Sequence, residues 1–233
     1  MGFLWNVISP LVQILIYSVV FTQLMEVKMS YVNVNFAFPI YLCSGLLPWI
    51  AFSECMQRGT NAFIENSAYL KKLPIPEVLF VAKVALSAFY SLIISMVLLF
   101  LFAIVTGNFP YWSWFIVLFY LLLLMIFAFS ISLILASLNV FFRDIGQMLN
   151  IVLQAWMWAT PIVYIIDILP EYLKPMVQFN PIYYFISPIR KSVLEGSAAT
   201  IGEWGIMIAF SIASLVLASK VIKKLQPEIR DVI

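Results

Sequence analysis

The chain has 233 residues, 64% of them hydrophobic and 10% charged, with a mean hydropathy of +1.04. Soluble domains carry about a quarter charged residues, so charge this sparse excludes a water-covered exterior and predicts an integral membrane protein, one membrane domain over residues 1–233. The formal net charge of +2 gives no warrant for a nucleic-acid partner, and the absence of histidine removes the usual imidazole base and metal ligand.

A bilayer core needs about 20 mostly apolar residues per helical crossing. Met1 to Met25 and Met29 to Ser53 carry no charge and predict the first two spans, separated by the polar step Glu26-Val27-Lys28. The amino terminus lacks the basic region of a cleavable signal peptide, and Asn6 stands where a myristoylation motif wants Ser or Thr. Cys43 and Cys55 fall on one predicted helix, roughly 18 Å apart along its axis, which is beyond disulfide reach. Glu54, near the inner end of the second span, has Arg58 one turn further on, which predicts an i,i+4 ion pair.

Val84 to Phe142 contains no Asp, Glu, Lys or Arg. That stretch is too long for one crossing and suits two, turning at Gly107-Asn108-Phe109-Pro110. Tyr111, Trp112 and Trp114 beside the turn suit an interfacial aromatic belt. Ile145 to Ile166 predicts a fifth span, and Trp204 to Ser219, preceded by Ile201 and Gly202, a shorter sixth. The predicted fold class is an all-α membrane protein with six transmembrane helices.

Lysine and arginine in the connecting segments set the orientation. With the amino terminus cytoplasmic, Arg58, Lys71, Lys72, Lys83, Arg143, Lys220, Lys223, Lys224 and Arg230 lie inside, against Lys28, Lys174, Arg190 and Lys191 outside. The excess inside predicts that both termini are cytoplasmic.

Three connecting segments are unusual. In the first, Arg58 to Glu77, Phe63, Leu70 and Leu73 recur at helical spacing while Asn61, Glu65 and Lys72 occupy other angles. This predicts a short amphipathic helix along the membrane, ended by Pro74 and Pro76. The residues fit equally a tether between two spans and a docking element for a cytoplasmic partner. The second, Leu138 to Gly146, predicts a helix end in which Arg143 snorkels to headgroups and Asp144 caps the next helix. The third, Pro161 to Gly196, holds Pro161, Pro170, Pro175, Pro181 and Pro188 and yet is largely apolar. Short proline-broken helices of this kind predict an external segment that dips back into the membrane, because irregular backbone at that depth is tolerated only against protein or a cavity; it suits a pore entrance or gate better than an external cap.

Several chemistries are missing. None of the eight glycines precedes a lysine, so there is no Walker A loop. The spans carry no mid-membrane carboxylate of the kind an ion-coupled carrier keeps. The outer carboxylates Glu26, Asp167, Glu171, Glu195 and Glu203 are scattered, which disfavours an enzyme or a metal site. What remains is an aromatic inventory of 20 Phe, 11 Tyr and 7 Trp. Most of these must serve packing and lipid contact, while a minority in charge-free walls would suit a large, weakly held substrate with sugar-like faces.

An ordered set of motifs resembles the type-2 ABC exporter permeases. Gly45-Leu46-Leu47-Pro48-Trp49 is similar to their G-L-x-P-W, and Lys71-Lys72 followed by Pro76-Glu77 to their K-K-x-x-x-P. Leu138-Asn139-Val140 with Arg143-Asp144 is similar to L-N-V-x-x-R-D. Trp156 to Tyr164 is similar to the x-S/T-P-V-x-Y that follows, and Asn180-Pro181 with Arg190 to the N-P and Arg before the last span. The matches run in family order over nearly the whole chain, and the resemblance is to the branch that exports lipid-linked O-antigen, capsule or teichoic acid polymers. Two departures stand out: members usually carry a basic amphipathic helix before the first span, and an Arg often separates the Pro76 and Glu77 equivalents.

The resemblance implies a homodimer in the bacterial inner membrane, working with two separate ABC ATPase subunits that hold ATP and Mg, with no cofactor in this chain itself. It implies a coupling helix over Asn61 to Lys72, with Asn61, Glu65, Asn66, Tyr69, Leu70, Lys71 and Lys72 docking the ATPase and Arg143 and Asp144 as a second contact. It implies a conduit formed mainly by the first, second and fifth spans, with Tyr17, Trp49, Phe52, Trp156 and Trp158 as lining. Tyr183 and Tyr184 would narrow the outer exit. The rival expectations are a related permease for a lipid or drug, and a channel or ion-coupled carrier that works alone.

Overall fold

In hydrocarbon only a helix or a closed barrel satisfies its own backbone, and the described residues form helices with no strand. The computed structural model describes residues 2–24, 36–72, 74–108, 110–166, 169–172 and 174–232. Glu26, Val27, Lys28, Leu73, Phe109 and Asp167, which entered the sequence reading, lie outside the described residues, as does the side chain of Arg230.

Helix α1 (Gly2–Val19) continues into a π-helical turn, Val20–Leu24. It is followed by α2 (Ala37–Glu65), α3 (Ser67–Lys72), α4 (Val78–Val105) and α5 (Ser113–Asn139). After these come α6 (Ile145–Ala159), α7 (Lys174–Gln178), α8 (Pro181–Leu194) and α9 (Ile201–Val232). Among the described residues five helices are long and apolar enough to cross a membrane: α1 with its π turn, α2, α4, α5 and α9.

Among the described residues the expected sixth long helix is absent. The stretch Ile145 to Ile166 is helical only to Ala159, because Thr160 is extended (φ −102°, ψ 134°) and Pro161 follows. At 1.5 Å per residue α6 rises about 22 Å, short of a hydrocarbon core of about 30 Å.

The turn expected between the third and fourth spans is present. Gly107, at φ 89°, ends α4 with its N–H on the Ile104 carbonyl and the Asn108 N–H on that of Ala103. Both bonds satisfy carbonyls of the last helical turn, and the positive φ is what glycine supplies. Of the aromatic belt expected there, Trp112 is 87% exposed, but Trp114 is buried, stacked on Phe100 and donating from Nε1 to the Val193 carbonyl. Its indole N–H needed a partner, and α8 supplies one.

Helix α2 is the most enclosed span and packs on α4, α5 and α8, while α5 also packs on α9. A Cβ on Gly59 would come within 2.8 Å of Ser132, so α2 and α5 approach almost backbone to backbone. Phe52, Phe127 and Phe185 stack successively across α2, α5 and α8. Cys43 and Cys55 are both free and buried, and Glu54 and Arg58 form the expected ion pair on α2. Helix α9 starts with a reciprocal cap: Thr200 N–H donates to Glu203, and Glu203 N–H to the Thr200 hydroxyl. Ala199 N–H and Tyr120, and Ser211 and Leu123, then tie α9 to α5.

The start of α1 and the end of α9 lie at the same end of the bundle as α3. Trp5 and Asn6 line a cleft with Glu54, and Ile229 shares a cluster with Leu70 and Phe63. Helix α5 also ends there, since Asn139 bonds to Thr60. Its start, Ser113, bonds to Ser192 at the opposite end. The chain therefore returns from Asn139 to α9 by α6 and α8 together, neither of which covers the distance alone.

Gly59→Leu is expected to lower the thermal midpoint of the detergent-solubilised protein by overpacking of about 1–3 kcal/mol. Gly205→Ala, where nothing lies within 4 Å of the added Cβ, should leave it unchanged; size-exclusion melting curves compare the two.

Candidate functional site

The junction between α6 and α8 is held by two side chains. Asn180 precedes α8 and caps it, its Oδ1 accepting from Ile182 N–H at 3.1 Å and from Trp156 Nε1 at 2.9 Å. Its Nδ2 donates to the Thr160 hydroxyl at 2.7 Å and to the Ala159 carbonyl at 3.5 Å. One amide thus joins the end of α6 to the start of α8, using its full donor and acceptor capacity.

Arg190 closes the other side. The positive-inside count treats it as an external loop charge, but it is 7% exposed and lies on α8. Its Nε donates to the Tyr41 carbonyl, its Nη1 to the Tyr41 hydroxyl at 2.9 Å and to the Pro161 carbonyl, and its Nη2 to the Ile162 carbonyl. The guanidinium carbon lies 3.8 Å from the Tyr41 ring centroid, and the Tyr41 hydroxyl donates to the Tyr164 carbonyl. The planar fork matches carbonyls opened by the Thr160–Pro161 break, which a lysine ammonium could not span. Gly45 of α2 leaves the slot that the guanidinium occupies.

At the α3 end the expected docking segment is split. Asn61 to Glu65 form the last turns of α2, and the separate helix is only Ser67–Lys72. Asn66 breaks the run, its side chain donating to the Ala62 carbonyl at 2.8 Å. Glu65, Tyr69, Lys71 and Lys72 are exposed. Leu70 is not: at 2% exposure it pins α3 to the cluster of Phe63, Val81 and Leu133, as an apolar side chain beside a core must. Asn61 is half-buried and its Oδ1 accepts from Asn139 Nδ2 at 3.2 Å.

The α5–α6 turn presents Phe142, Arg143 and Asp144 to the exterior. Asp144 stands at the cap position of α6 but its side chain makes no cap bond. The expected cap comes from Asn139 instead, whose Oδ1 accepts from Gly146 N–H at 3.1 Å.

The five residues expected to line a conduit divide. Trp49 and Phe52 are 4% and 0% exposed and pack inside the helix bundle against Trp156, so neither is surface lining here. Trp156 is half-buried, Trp158 is 58% exposed, and both line a cleft of about 500 Å³ with Tyr164, Met176, Phe179 and Asn180. Tyr17 is half-buried and hydrogen-bonded to Gln13. Tyr183 and Tyr184, edge to face at 5.6 Å, are half-buried on the first turn of α8.

Two polar stripes escaped the sequence reading. Along α6, Gln147, Asn150, Gln154 and Trp158 recur on one face and all are exposed. Along α1, Asn6, Ser9 and Gln13 recur likewise and line a smaller cleft of about 160 Å³ with Glu54, Ser91 and Ser95. Their helical spacing was visible, but uncharged amides raise no alarm in a search for charge.

These long, largely apolar helices around a polar α2–α5–α6 corner belong to a membrane protein of a known class. The ABC-2 type transporter family model matches residues 1–194, and the chain belongs to that family. It is 30% identical over 201 residues to an O-antigen export system permease protein of Klebsiella pneumoniae, covering 84% of this chain and 74% of that one. It is 29% identical over 196 residues to the permease of the same name from Myxococcus xanthus, covering 80% and 72%. A polysialic acid transport protein of Escherichia coli is 21% identical over 197 residues, covering 84% and 75%.

Arg190→Met is expected to be strongly destabilising, since each carbonyl left buried without a donor costs about 1–3 kcal/mol. Tyr41→Phe, which removes only a hydroxyl, should cost less than half as much. Yield and melting temperature in detergent measure both.

Proposed function

We propose that this chain is the transmembrane permease subunit of an ATP-driven exporter that moves a lipid-linked, O-antigen-like polysaccharide across the bacterial inner membrane. The observation that carries the reading is the exposed amide stripe of α6. Lipid tails offer no hydrogen bonds, so Gln147, Asn150 and Gln154 on a charge-free helix need a hydrogen-bonding neighbour. A hydroxyl-rich polymer answers every amide, and the absence of charge lets it slide rather than stick. Trp158 at the top of the stripe offers the apolar face that sugar rings stack on. The names of the relatives agree with that cargo.

In this reading the chain crosses six times, with both termini cytoplasmic, and the fifth crossing is discontinuous: α6 rises part-way and α8 completes it beside the re-entrant 160–180 segment. Two copies form the conduit between their α1 and α6 helices, with Tyr17, Trp156 and Trp158 toward it and Tyr183 and Tyr184 near the outer exit. Each copy docks one ABC ATPase through Glu65, Tyr69, Lys71 and Lys72, with Arg143 and Asp144 as the second contact. ATP and Mg belong to that ATPase, and no covalent chemistry takes place in this chain.

Co-expression of the tagged chain with the ATPase encoded beside it tests this. Stoichiometric retention of the ATPase, with polymer export that requires ATP, is the expected result. Transport by this chain alone in proteoliposomes would replace the reading with a channel or carrier. Glu65→Lys should reduce ATPase retention and its stimulation about tenfold while membrane insertion stays normal. Replacing Gln147, Asn150 and Gln154 together by Leu should reduce export by more than tenfold, read as surface polymer.

A further inference from the structure

The α6 helix is attached to the bundle in an unusual way. Along its length it buries only Leu149 and Leu153, while Met148, Ile151, Val152 and Trp158 are well exposed. Its two ends, by contrast, are gripped by asparagine side chains that reach in from other elements.

At the α3 end, Asn139 divides its amide between helices. Its Oδ1 accepts the Gly146 N–H in the first turn of α6, and its Nδ2 donates to the Thr60 carbonyl and the Asn61 side chain at the end of α2. A cap alone would need only the acceptor, and Asp144 stands at the cap position to provide one. The donors serve a different purpose: they tie the foot of α6 to the helix that runs into α3. Gly146 reinforces the contact, since a Cβ there would lie 2.7 Å from Asn61 Oδ1. At the other end, Asn180 binds Trp156, Ala159 and Thr160 of α6 and the first turn of α8 together.

We infer that α6 is a strut clamped at both ends, and that Asn139 and Asn180 are positioning residues that carry movement of the α2–α3 docking segment to α8. A continuous helix resists compression and bending over its length, whereas its sparse side contacts let it shift as a unit. The α8 segment bears Tyr183 and Tyr184 in its first turn and Arg190 further along, so displacement at Asn180 moves the proposed exit directly. The inference rests on the exporter reading above, because it needs an ATPase to drive the docking segment.

The test uses the complete complex with its ATPase and reads polymer exported per ATP hydrolysed. Asn139→Ala and Asn180→Ala should each keep ATPase retention and hydrolysis within twofold of the unaltered complex while export per ATP falls at least tenfold. Because the clamps act in series, the double variant should fall no further than the worse single one. Trp156→Phe keeps an aromatic side chain but deletes the Nε1–H bond to Asn180, and should lower export per ATP at least threefold even where an alanine variant fails to fold. Unchanged export per ATP in Trp156→Phe would overturn the inference. So would hydrolysis and export falling in parallel, or a double variant whose loss is the product of the single losses. An unaltered chain that never retains the ATPase would overturn the exporter reading and this inference with it, and is told apart because it occurs before any substitution.

Discussion

A membrane interior supplies no water to a broken helix, and most of this structure follows from how one break is satisfied. When α6 stops at Thr160, the carbonyls that follow have no partner within their own segment. Arg190 donates to the carbonyls of Pro161 and Ile162, and Asn180 donates to the Ala159 carbonyl and the Thr160 hydroxyl. Other features are consequences. Gly45 is small because the guanidinium lies against α2, and Tyr41 is aromatic and hydroxylated because it stacks on that cation and accepts from it.

The same constraint explains where polar residues are allowed. Serines on the long helices mostly return their hydroxyls to a carbonyl one turn back, as Ser95, Ser130 and Ser137 do, and so present no unmet demand. The amides of α6 are different, being exposed along one face of a helix that is only lightly packed. Helices α2 and α5 meet closely through Gly59 and Ser132, while α6 is held chiefly at its ends.

Much of this was legible in the sequence, and some of it was not. Charge-free length alone predicts helices, because hydrocarbon leaves the backbone no alternative, and α1, α4 and α5 follow from it, as does the glycine turn at Gly107. The i,i+4 pair of Glu54 and Arg58 was equally local, requiring only the helical repeat. The family was also readable, since Gly45-Leu46-Leu47-Pro48-Trp49, Leu138-Asn139-Val140 and Asn180-Pro181 keep their order whatever the fold does with them.

What needed the tertiary structure was every question of which way a side chain faces and what it meets. Hydropathy is a sum along the chain and cannot tell a buried Trp49, Phe52 or Leu70 from an exposed Trp158 or Tyr69. Arg190 counted as an external charge until its partners arrived from residues 28, 29 and 149 positions away. Asn139 replaced Asp144 as the cap of α6 because α2 and α5 bring Thr60 and Asn61 to it from far upstream. The one-dimensional pattern determined that the chain lives in a membrane and to which family it belongs, since those depend on solvent and on motifs that keep their order. Packing decided how the break after α6 is satisfied and placed the two asparagine clamps around that helix, because these are contacts between segments that the sequence holds far apart.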